Sequence, residues 1–399
     1  MKEVVIVDAV RTPIGRYKGT LKSVRPDDLG AIVIKALIKR NPTVPLTEIE
    51  EVVFGNANQA GEDNRNVARM SSLLADLPVE VSGTTLNRLC GSVMDAVIYA
   101  ARAIALGDGD IFIAGGTESM TRAPYVMAKP DKEFPRGPME LNDTTIGWRF
   151  INKKLEEMYG SESMPKTAEN VAERFVVTRE AQDQFALQSQ LKTKKAIEEK
   201  RFVDEIVPVS IRDGKGNEII VENDEHPRPE ITMENLSELK PIFSGGTVTA
   251  GNASGVNDGA SALLLMSAEK SEQLGIKPMA RYVIGATAGL EPSIMGLGPI
   301  YATRKALKRS GLSKEQIGLI ELNEAFASQS LECIRQLEFD QELINVNGGA
   351  IALGHPLGAS GARILTTLLH EMKRRKVKYG LATMCVGVGQ GIAVIVENK

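Results

Sequence analysis

The segment Leu86–Val97, with the sequence LNRLCGSVMDAV, places a thiol at the beginning of an amphipathic helix. Apolar residues recur at spacings of three and four from Val93 to Ile104, which predicts a helix that starts just after Cys90. A thiol at a helix N-terminus faces unpaired backbone N–H groups and the positive end of the helix dipole, which favours its thiolate. The segment therefore predicts a cysteine nucleophile or, because most free cysteines are small buried apolar residues, a core thiol.

Three further segments place a reactive side chain among small residues: ELNEAFA around Asn323, NGGAIALGHPLGASGAR around His355 and TMCVGVGQG around Cys385. Asn323 follows an apolar strand, where the alternative to a catalytic role is a helix cap. His355 lies in a glycine-dense loop, which does not suit a packing role. The glycines after Cys385 let backbone N–H groups approach a ligand closely.

The other histidines and the third cysteine do not form a cluster with these residues in the sequence. His226 lies in a charged loop and His370 on a helix, both expected at the surface, whereas Cys333 is expected in the core. No HxxxH or CxxC spacing is present, so no metal site is predicted. The glycines of Gly387–Gly391 are not a dinucleotide fingerprint, because no βαβ unit follows them.

Two thiols, one imidazole and one amide suit carbon–sulfur and carbon–carbon chemistry on thioesters. One thiol can form an acyl intermediate, the imidazole can activate it, and the second thiol can move a proton at carbon. Backbone N–H groups and the asparagine amide can bind the oxyanions that such chemistry generates.

The composition is that of a globular protein without a strong charge bias. Of 399 residues, 43% are hydrophobic and 25% charged, and the formal net charge is −3. Neither a nucleic acid nor a membrane surface is therefore an expected partner. Three cysteines without a CxxC pair indicate a reducing compartment. No apolar stretch approaches the roughly 20 residues of a membrane span, and no signal peptide is recognised, so a cytoplasmic location is expected.

Strand and helix signals alternate along the chain. Val4–Val7 is a continuous apolar run, Pro26–Lys39 has a helical pattern, Ile49–Gln59 reads as a strand, and Asp110–Ala114 as a strand closed by two glycines. This alternation predicts a layered α/β fold with much parallel pairing.

The second half of the chain repeats the first. KALIKRNPTVPLTEIEEVVFGNA and KALKRSGLSKEQIGLIELNEA share a helix, a break, an acidic segment and a strand, which end near Asn56 and Asn323 respectively. Likewise the helix after Cys90 has a counterpart in the helix after His355. The repeat predicts a duplicated unit with its site at strand ends.

The region between the repeats differs from them in composition. Residues 118–249 are richer in charge and proline and contain two long helical segments. They are predicted to form an inserted loop domain over the first half. The N-terminal half is then predicted at 1–117 with 250–270, and the C-terminal half at 271–399.

Together these segments resemble the thiolase family along essentially the whole chain. The resemblance rests on VRTPIG, AGGTESM, GTVTAGNASGVNDGA, NEAFA, GHPLGASGAR and CVGVGQG, which occur in this order. It implies two βαβαβαββ halves in a five-layered α/β/α/β/α core with a loop domain. The implied activity is an acyl-CoA:acetyl-CoA C-acyltransferase that reversibly cleaves a 3-oxoacyl-CoA with CoA. Coenzyme A and acetyl-CoA are substrates, no cofactor is bound permanently, and a homo-oligomer, dimer or tetramer, is expected.

The resemblance also implies roles at matching positions. Cys90 is the acylated nucleophile, His355 activates it and later the CoA thiol, and Cys385 moves the proton at the α-carbon of acetyl-CoA. Asn323 holds a water of one oxyanion hole beside His355, and the second hole uses the backbone N–H groups of Cys90 and Gly387. The residues expected to contact CoA or the acyl group are Met164, Arg228, Ser254 and Met295.

Within the family, DTTIGWRFIN (Asp143–Asn152) and SMPKTAENVA look most like 3-oxoadipyl-CoA and 3-ketoacyl-CoA thiolases. Acetoacetyl-CoA-specific members carry a histidine where this chain has Ser163. The alternatives are an acetyltransferase that condenses two acetyl-CoA molecules, a ketoacyl synthase-like enzyme and a catalytically silent CoA-binding relative. The family usually has glycine at the position of Val93, so this side chain is expected to narrow the acyl pocket or alter the helix start, and to lower activity.

Overall fold

The first part of the chain alternates strands and helices, as its periodicity predicts. A computed structural model describes residues 1–131, 133–134 and 136–399. Strand β1 is buried along its whole length, in accord with the apolar run Val4–Val7 at its start, and it also buries Asp8 and Arg11. The first elements are β1 (Val4–Arg11), β2 (Gly15–Arg16), α1 (Pro26–Arg40), β3 (Ile49–Gly55), α2 (Val67–Leu74), β4 (Ser82–Leu86), α3 (Ser92–Leu106) and β5 (Ile111–Ser119).

The middle of the chain forms helices and two small ribbons outside the main sheet. Helix α5 begins with a proline in its first turn, where the missing N–H group costs nothing. The elements of this region are β6 (Tyr125–Val126), β7 (Asn142–Asp143), α4 (Lys153–Tyr159), α5 (Met164–Phe175), α6 (Arg179–Glu198), β8 (Val209–Arg212), β9 (Glu218–Val221) and α7 (Met233–Ser237).

The last part of the chain returns to the main sheet. Its elements are β10 (Asn257–Ser267), α8 (Ala268–Gln273), β11 (Ala280–Gly289), α9 (Gly298–Ser310), β12 (Ile317–Leu322), α10 (Ala327–Leu337), α11 (Ala350–Leu353), α12 (Leu357–Arg375), β13 (Tyr379–Val386) and β14 (Gln390–Asn398). The domain boundaries given above stay predictions.

Ten strands of the described residues form one sheet, in the order β12-β13-β14-β11-β1-β10-β5-β3-β4, with β2 beside β10. Strand β3 is parallel to β4 and β5, and β12 is parallel to β13. The antiparallel pair β1–β11 joins the two halves through only Val5–Arg281 and Ile6–Ala280. The sheet is therefore two half-sheets that meet at a short seam.

The helices divide this sheet into layers. Helices α1 and α2 pack against the outer face of the first half-sheet, and α9 packs against the outer face of the second, with α10 beside it. Helices α3 and α12 contact each other and strands of both half-sheets, so they form the central layer. The result is the predicted order of five layers, α/β/α/β/α.

The duplication is less complete in the second half than in the first. The first half has the order β1-α1-β3-α2-β4-α3-β5-β10. In the second half the counterpart of β4 is a single parallel bridge between Ile320 and Ile344. The segment from this bridge to α12 contains the short buried helix α11 and carries His355.

Two expectations about individual elements are wrong. Strand β5 is not closed by Gly115 and Gly116 but continues through them to Ser119. A Cβ atom at Gly116 would lie 2.0 Å from the backbone oxygen of Gly358, so glycine permits α12 to approach the sheet.

The second expectation concerns membrane-length segments. The window Leu89–Leu106 is long and apolar enough to span a membrane by length and composition alone, although 61% of it is buried in the core around α3.

Candidate active site

The two helices of the central layer begin beside the predicted nucleophile and base. Cys90 lies two residues before the first residue of α3, and His355 lies two residues before the first residue of α12. The N-cap residues, Gly91 and Pro356, contribute no capping side chain. Each reactive side chain therefore lies at the positive end of a helix dipole.

The predicted catalytic side chains line one cavity of about 740 Å³, the large cavity. Cys90, His355 and Cys385 all contribute to its wall. Asn323 is fully buried beside His355, and Gly387 lines a small cavity of about 180 Å³ that shares Cys90 with the large one. The wall of the large cavity also includes all four residues predicted to contact CoA or the acyl group, Met164, Arg228, Ser254 and Met295.

The surroundings of Cys90 disfavour its thiolate on balance. Burial raises its pKa to about 11, against the smaller opposing effect of the backbone N–H groups of Gly387 and Cys90, and the Glu118 carboxylate raises it further. Desolvation thus opposes the stabilisation of the thiolate that the position of Cys90 before α3 predicts. The N–H groups remain suited to binding negative charge on this sulfur or on an oxygen attached to its acyl group.

His355 is a neutral imidazole placed to act as a base. Burial, and then the positive charge of Arg363, lower its pKa to about 3. Its Nδ1 lies 2.6 Å from Oγ of Ser360, and this hydroxyl donates to the backbone oxygen of Pro356. Because the hydroxyl proton is used there, Nδ1 must carry the imidazole proton, which leaves Nε2 as the proton acceptor.

Asn323 and Cys385 complete the polar part of the site. Nδ2 of Asn323 lies 3.5 Å from Nε2 of His355, and its Oδ1 has no hydrogen-bond partner among the described residues. Burial raises the pKa of the Cys385 thiol, and the neighbouring Cys90 raises it further. The side-chain amide of Gln329 lies 3.4 Å from Sγ of Cys385. In the orientation that gives both the oxygen and the nitrogen of this amide a hydrogen-bond partner, the nitrogen donates to the backbone oxygen of Asn323. Gln329 thus connects the second thiol to the asparagine.

Comparison with known proteins agrees with this geometry. The family model described as "Thiolase, N-terminal domain" matches residues 4–269, and "Thiolase, C-terminal domain" matches residues 276–398. The chain belongs to the thiolase family. It is an acyltransferase, and both the predicted fold class and the predicted family are confirmed.

Similar proteins span the full length of this thiolase. A beta-ketoadipyl-CoA thiolase of Acinetobacter baylyi is 56% identical over 100% of both chains. A 3-oxoadipyl-CoA/3-oxo-5,6-dehydrosuberyl-CoA thiolase of Escherichia coli is also 56% identical over 100% of both chains. The crystal structure of human mitochondrial 3-ketoacyl-CoA thiolase has a TM-score of 0.94 and 40% identity, and the match covers 100% of this chain and 99% of that one.

The thiolase site contains a histidine that the sequence analysis placed at the surface. His226 lines the large cavity, and burial together with the charges of Arg228 and Arg16 lowers its pKa to about 4. Its Nδ1 lies 3.3 Å from Nδ2 of Asn257, whose Oδ1 accepts from the backbone N–H of His355 at 2.9 Å. Asn257 thus links the two histidines. The sequence feature that the two histidines share is a proline directly after each, Pro227 and Pro356.

Glu118 is a second residue of this thiolase that the sequence analysis missed. It lines the small cavity, and its carboxylate accepts from the backbone N–H groups of Ala57, Asn58 and Gly358. Burial raises its pKa to about 7. The carboxylate therefore ties the end of β3 to the first turn of α12 and adds negative potential near Cys90.

Val93 does not narrow the acyl pocket. It is fully buried in the central layer and lines neither the large nor the small cavity. A Cβ atom at Gly361 would lie 3.0 Å from Cγ1 of Val93, and one at Gly55 would lie 2.3 Å from its backbone nitrogen. The side chain therefore fills space between α3, α12 and the sheet, and the helix still begins at Ser92.

The remaining histidine and cysteine lie away from the catalytic set. Nε2 of His370 lies 3.1 Å from the backbone oxygen of Ala9 on a half-buried face of α12, so the surface prediction is wrong. Cys333 is buried on α10, as predicted, and its thiol donates to the backbone oxygen of Gly296.

Proposed function

We propose that this thiolase cleaves 3-oxoadipyl-CoA with CoA, giving acetyl-CoA and the CoA thioester of a dicarboxylic acid shortened by two carbons. The meeting of Cys90, His355 and Cys385 on one cavity carries the chemistry of this proposal. The full-length relatives at 56% identity, whose names specify 3-oxoadipyl-type acyl groups, support the substrate. The alternative of condensing two acetyl-CoA molecules has less support from these relatives.

In the first step Nε2 of His355 accepts the proton of the Cys90 thiol, and the thiolate attacks the 3-keto carbon of the substrate. Deprotonation is coupled to this attack, because burial raises the resting pKa of the thiol to about 11. The negative charge that forms on the 3-keto oxygen is stabilised by the backbone N–H groups of Cys90 and Gly387. The same two N–H groups act against the rise in the pKa of the Cys90 thiol.

The bond between C2 and C3 then breaks and leaves the acyl group on Cys90. The departing acetyl-CoA enolate accepts a proton at C2 from the Cys385 thiol. While it forms, its oxygen is stabilised on the side of Asn323 and His355, where the buried amide lies beside the imidazole. Proton transfer to and from C2 of acetyl-CoA, a weak carbon acid, requires a group that is itself a weak acid. The buried Cys385 thiol, whose pKa is raised, is such a group.

In the second step CoA removes the acyl group. The proton that His355 took from Cys90 first passes to the Cys385 thiolate, which restores both groups. His355 then accepts the proton of the CoA thiol, whose sulfur attacks the thioester carbon. The bond from this carbon to Sγ of Cys90 breaks, and the released Cys90 thiolate takes the proton from His355. The large cavity provides a channel for CoA that is lined by Arg228, Ser254 and His226. No metal or redox cofactor takes part in the proposed steps.

We also propose a homo-oligomer, dimer or tetramer, in the cytoplasm. The three cysteines are free, as suits a reducing compartment. Strand β4 lies at the edge of the sheet, and an edge strand can pair with a second chain. Light scattering after size-exclusion chromatography measures the oligomer, and a monomer at micromolar concentration would contradict it.

A substrate panel tests the proposed reaction. We expect kcat/KM for 3-oxoadipyl-CoA to exceed that for acetoacetyl-CoA by roughly 10-fold or more, because binding energy from the longer acyl group is used in the transition state. A greater kcat/KM for acetoacetyl-CoA would favour the acetyl-CoA acetyltransferase alternative. No thiolysis of any 3-oxoacyl-CoA would reject the proposed function itself.

A further inference from the structure

The small cavity extends from the nucleophile into the segment DTTIGWRFIN, whose Trp148 and Arg149 the mechanism above does not use. Its wall includes Cys90 and Gly387 together with these two residues. Because it meets the nucleophile and the predicted oxyanion donors, the acyl group on Cys90 can enter it while CoA occupies the large cavity. At about 180 Å³ against about 740 Å³, it suits a short chain rather than a cofactor-sized group.

Arg149 is a half-buried guanidinium with unused donors. Its Nη2 donates to the backbone oxygen of Asn58 at 3.1 Å, and no carboxylate in the described part of the chain lies within ion-pair distance of it. By contrast, Arg88 and Arg122 near the same region are paired with Asp95 and Glu62. A guanidinium presents five N–H donors in a planar fork that matches a carboxylate.

The segment that carries Arg149 is fixed on both sides. Oγ1 of the buried Thr144 donates to the backbone oxygen of Pro124, and Nδ2 of Asn58 donates to the backbone oxygen of Thr144. On the other side, the indole N–H of Trp148 donates to the backbone oxygen of Glu162. Arg149 is thus held in place before substrate arrives, which reduces the entropy cost of binding.

Resting on the proposed function, we propose that Arg149 binds the free terminal carboxylate of the acyl group and so selects 3-oxoacyl-CoA substrates derived from dicarboxylic acids. Thiolysis of 3-oxoadipyl-CoA leaves an acyl group on Cys90 with two methylene groups between its thioester and its carboxylate. The methylene groups lie against the apolar wall formed by Leu89, Trp148 and Leu357.

Glu118 is the acidic side chain that faces the same cavity, and it does not neutralise Arg149. No ion pair joins the two among the described residues, and the Glu118 oxygens accept from backbone N–H groups instead, two on Oε2 and one on Oε1. Among the described residues that line the small cavity, Arg149 is the cationic side chain, so an entering carboxylate has one charged partner.

The test compares substrates that differ only at the acyl terminus, 3-oxoadipyl-CoA and 3-oxohexanoyl-CoA. In Arg149→Met we expect kcat/KM for 3-oxoadipyl-CoA to fall roughly 100-fold, since a charged hydrogen-bonded pair is lost, and that for 3-oxohexanoyl-CoA to fall by less than about threefold. Arg149→Lys keeps the charge without the fork and should give an intermediate selectivity. Arg309→Met, at the exposed end of α9, is the matched arginine control.

Equal losses on both substrates in Arg149→Met and Arg149→Lys would assign Arg149 a structural role and overturn the inference. A wild-type enzyme that does not prefer the carboxylate-bearing substrate would overturn it as well. That result leaves the thiolase chemistry intact, because 3-oxohexanoyl-CoA still reports on Cys90, whereas inactivity on every 3-oxoacyl-CoA rejects the proposed function instead.

Discussion

The two halves of the sheet end in the same way on either side of the central helices. In the first half β3 lies beside β5 with Gly55 opposite Gly116, and in the second β12 lies beside β13 with Leu322 opposite Thr383. One step beyond these pairs each half has an asparagine, Asn56 or Asn323. On the adjacent strand the positions two steps beyond these pairs hold Glu118 in the first half and Cys385 in the second.

These equivalent positions make different contacts. Nδ2 of Asn56 donates to the backbone oxygen of Thr117 at 2.8 Å, whereas Nδ2 of Asn323 lies beside the imidazole of His355. Glu118 accepts from three backbone N–H groups, whereas the Cys385 thiol lines the large cavity. The first half therefore uses its strand ends to hold loops around Cys90, and the second half uses the same positions for the side chains to which we assign proton transfer and charge stabilisation. A duplicated fold thus provides paired positions, and contact with the shared cavity decides which of them act in chemistry.

The largest expected effect is at Cys90, the one side chain of the first half to which we assign a catalytic role. In Cys90→Ala we expect kcat for thiolysis to fall by at least about 10⁴-fold, because no acyl intermediate can form. Cys333→Ala, which removes a buried thiol outside both cavities, is the control and should keep activity within severalfold. The measurement is the loss of 3-oxoacyl-CoA absorbance with CoA present. Undiminished turnover by Cys90→Ala would show that the first half supplies no catalytic side chain.

Alanine substitution of the two asparagines separates catalysis from structure. In Asn323→Ala we expect kcat to fall by about 10²–10³-fold, the usual cost of losing an oxyanion-hole group. In Asn56→Ala we expect a loss of about 1–3 kcal/mol in the free energy of unfolding, because buried backbone groups lose their partner, with kcat retained in the folded fraction. Denaturant unfolding and steady-state kinetics on both variants measure this. The reverse assignment of effects would break the comparison between the halves.

Val93→Gly tests the central layer that the halves share. We expect the free energy of unfolding to fall by about 3 kcal/mol, from a core cavity and from glycine inside a helix, without a gain in kcat/KM. The measurement is urea unfolding alongside kinetics on several acyl lengths. A higher kcat/KM at unchanged stability would instead place this side chain at the acyl group.

The halves should also differ in how pH affects stability. The pKa of His355 is lowered to about 3 in the fold, so the unfolded chain binds more protons below its ordinary pKa near 6.5, and stability falls as pH drops through this range. The pKa of Glu118 is raised to about 7, so its contribution is present below about 4.5 and is lost as pH rises through 7.

We expect His355→Asn to remove about 2 kcal/mol of the wild-type loss in unfolding free energy between pH 7 and pH 5. Part of the acid sensitivity should remain, because the pKa of His226 is lowered to about 4 and contributes in the same direction. Glu118→Gln should remove a decrease of similar size between pH 5 and pH 8. Chemical denaturation at each pH gives these values, and parallel pH profiles for all three proteins would show that neither group titrates as the fold indicates.

The sequence by itself determined the alternation of elements, the duplication and the family, and it predicted Cys90, His355 and Cys385 as the reactive set. These features are local: apolar periodicity gives a helix or strand, and each reactive residue stands in its own run of small residues. Asn323 was predicted for the same reason, because it lies in such a run, and Gly387 was predicted from the resemblance to the family.

Only the tertiary structure decided where the isolated side chains go. The side chain of His226, which belongs to a charged loop, lines the large cavity, and Val93 lies in the core rather than at the acyl group. The pKa of Cys90 is raised by burial although the residue precedes a helix. The tertiary structure also brought Glu118 and Arg149 to the small cavity. Each outcome depends on burial between segments far apart in the chain, and the free energy of removing a charge or a methyl group from water depends on those neighbours.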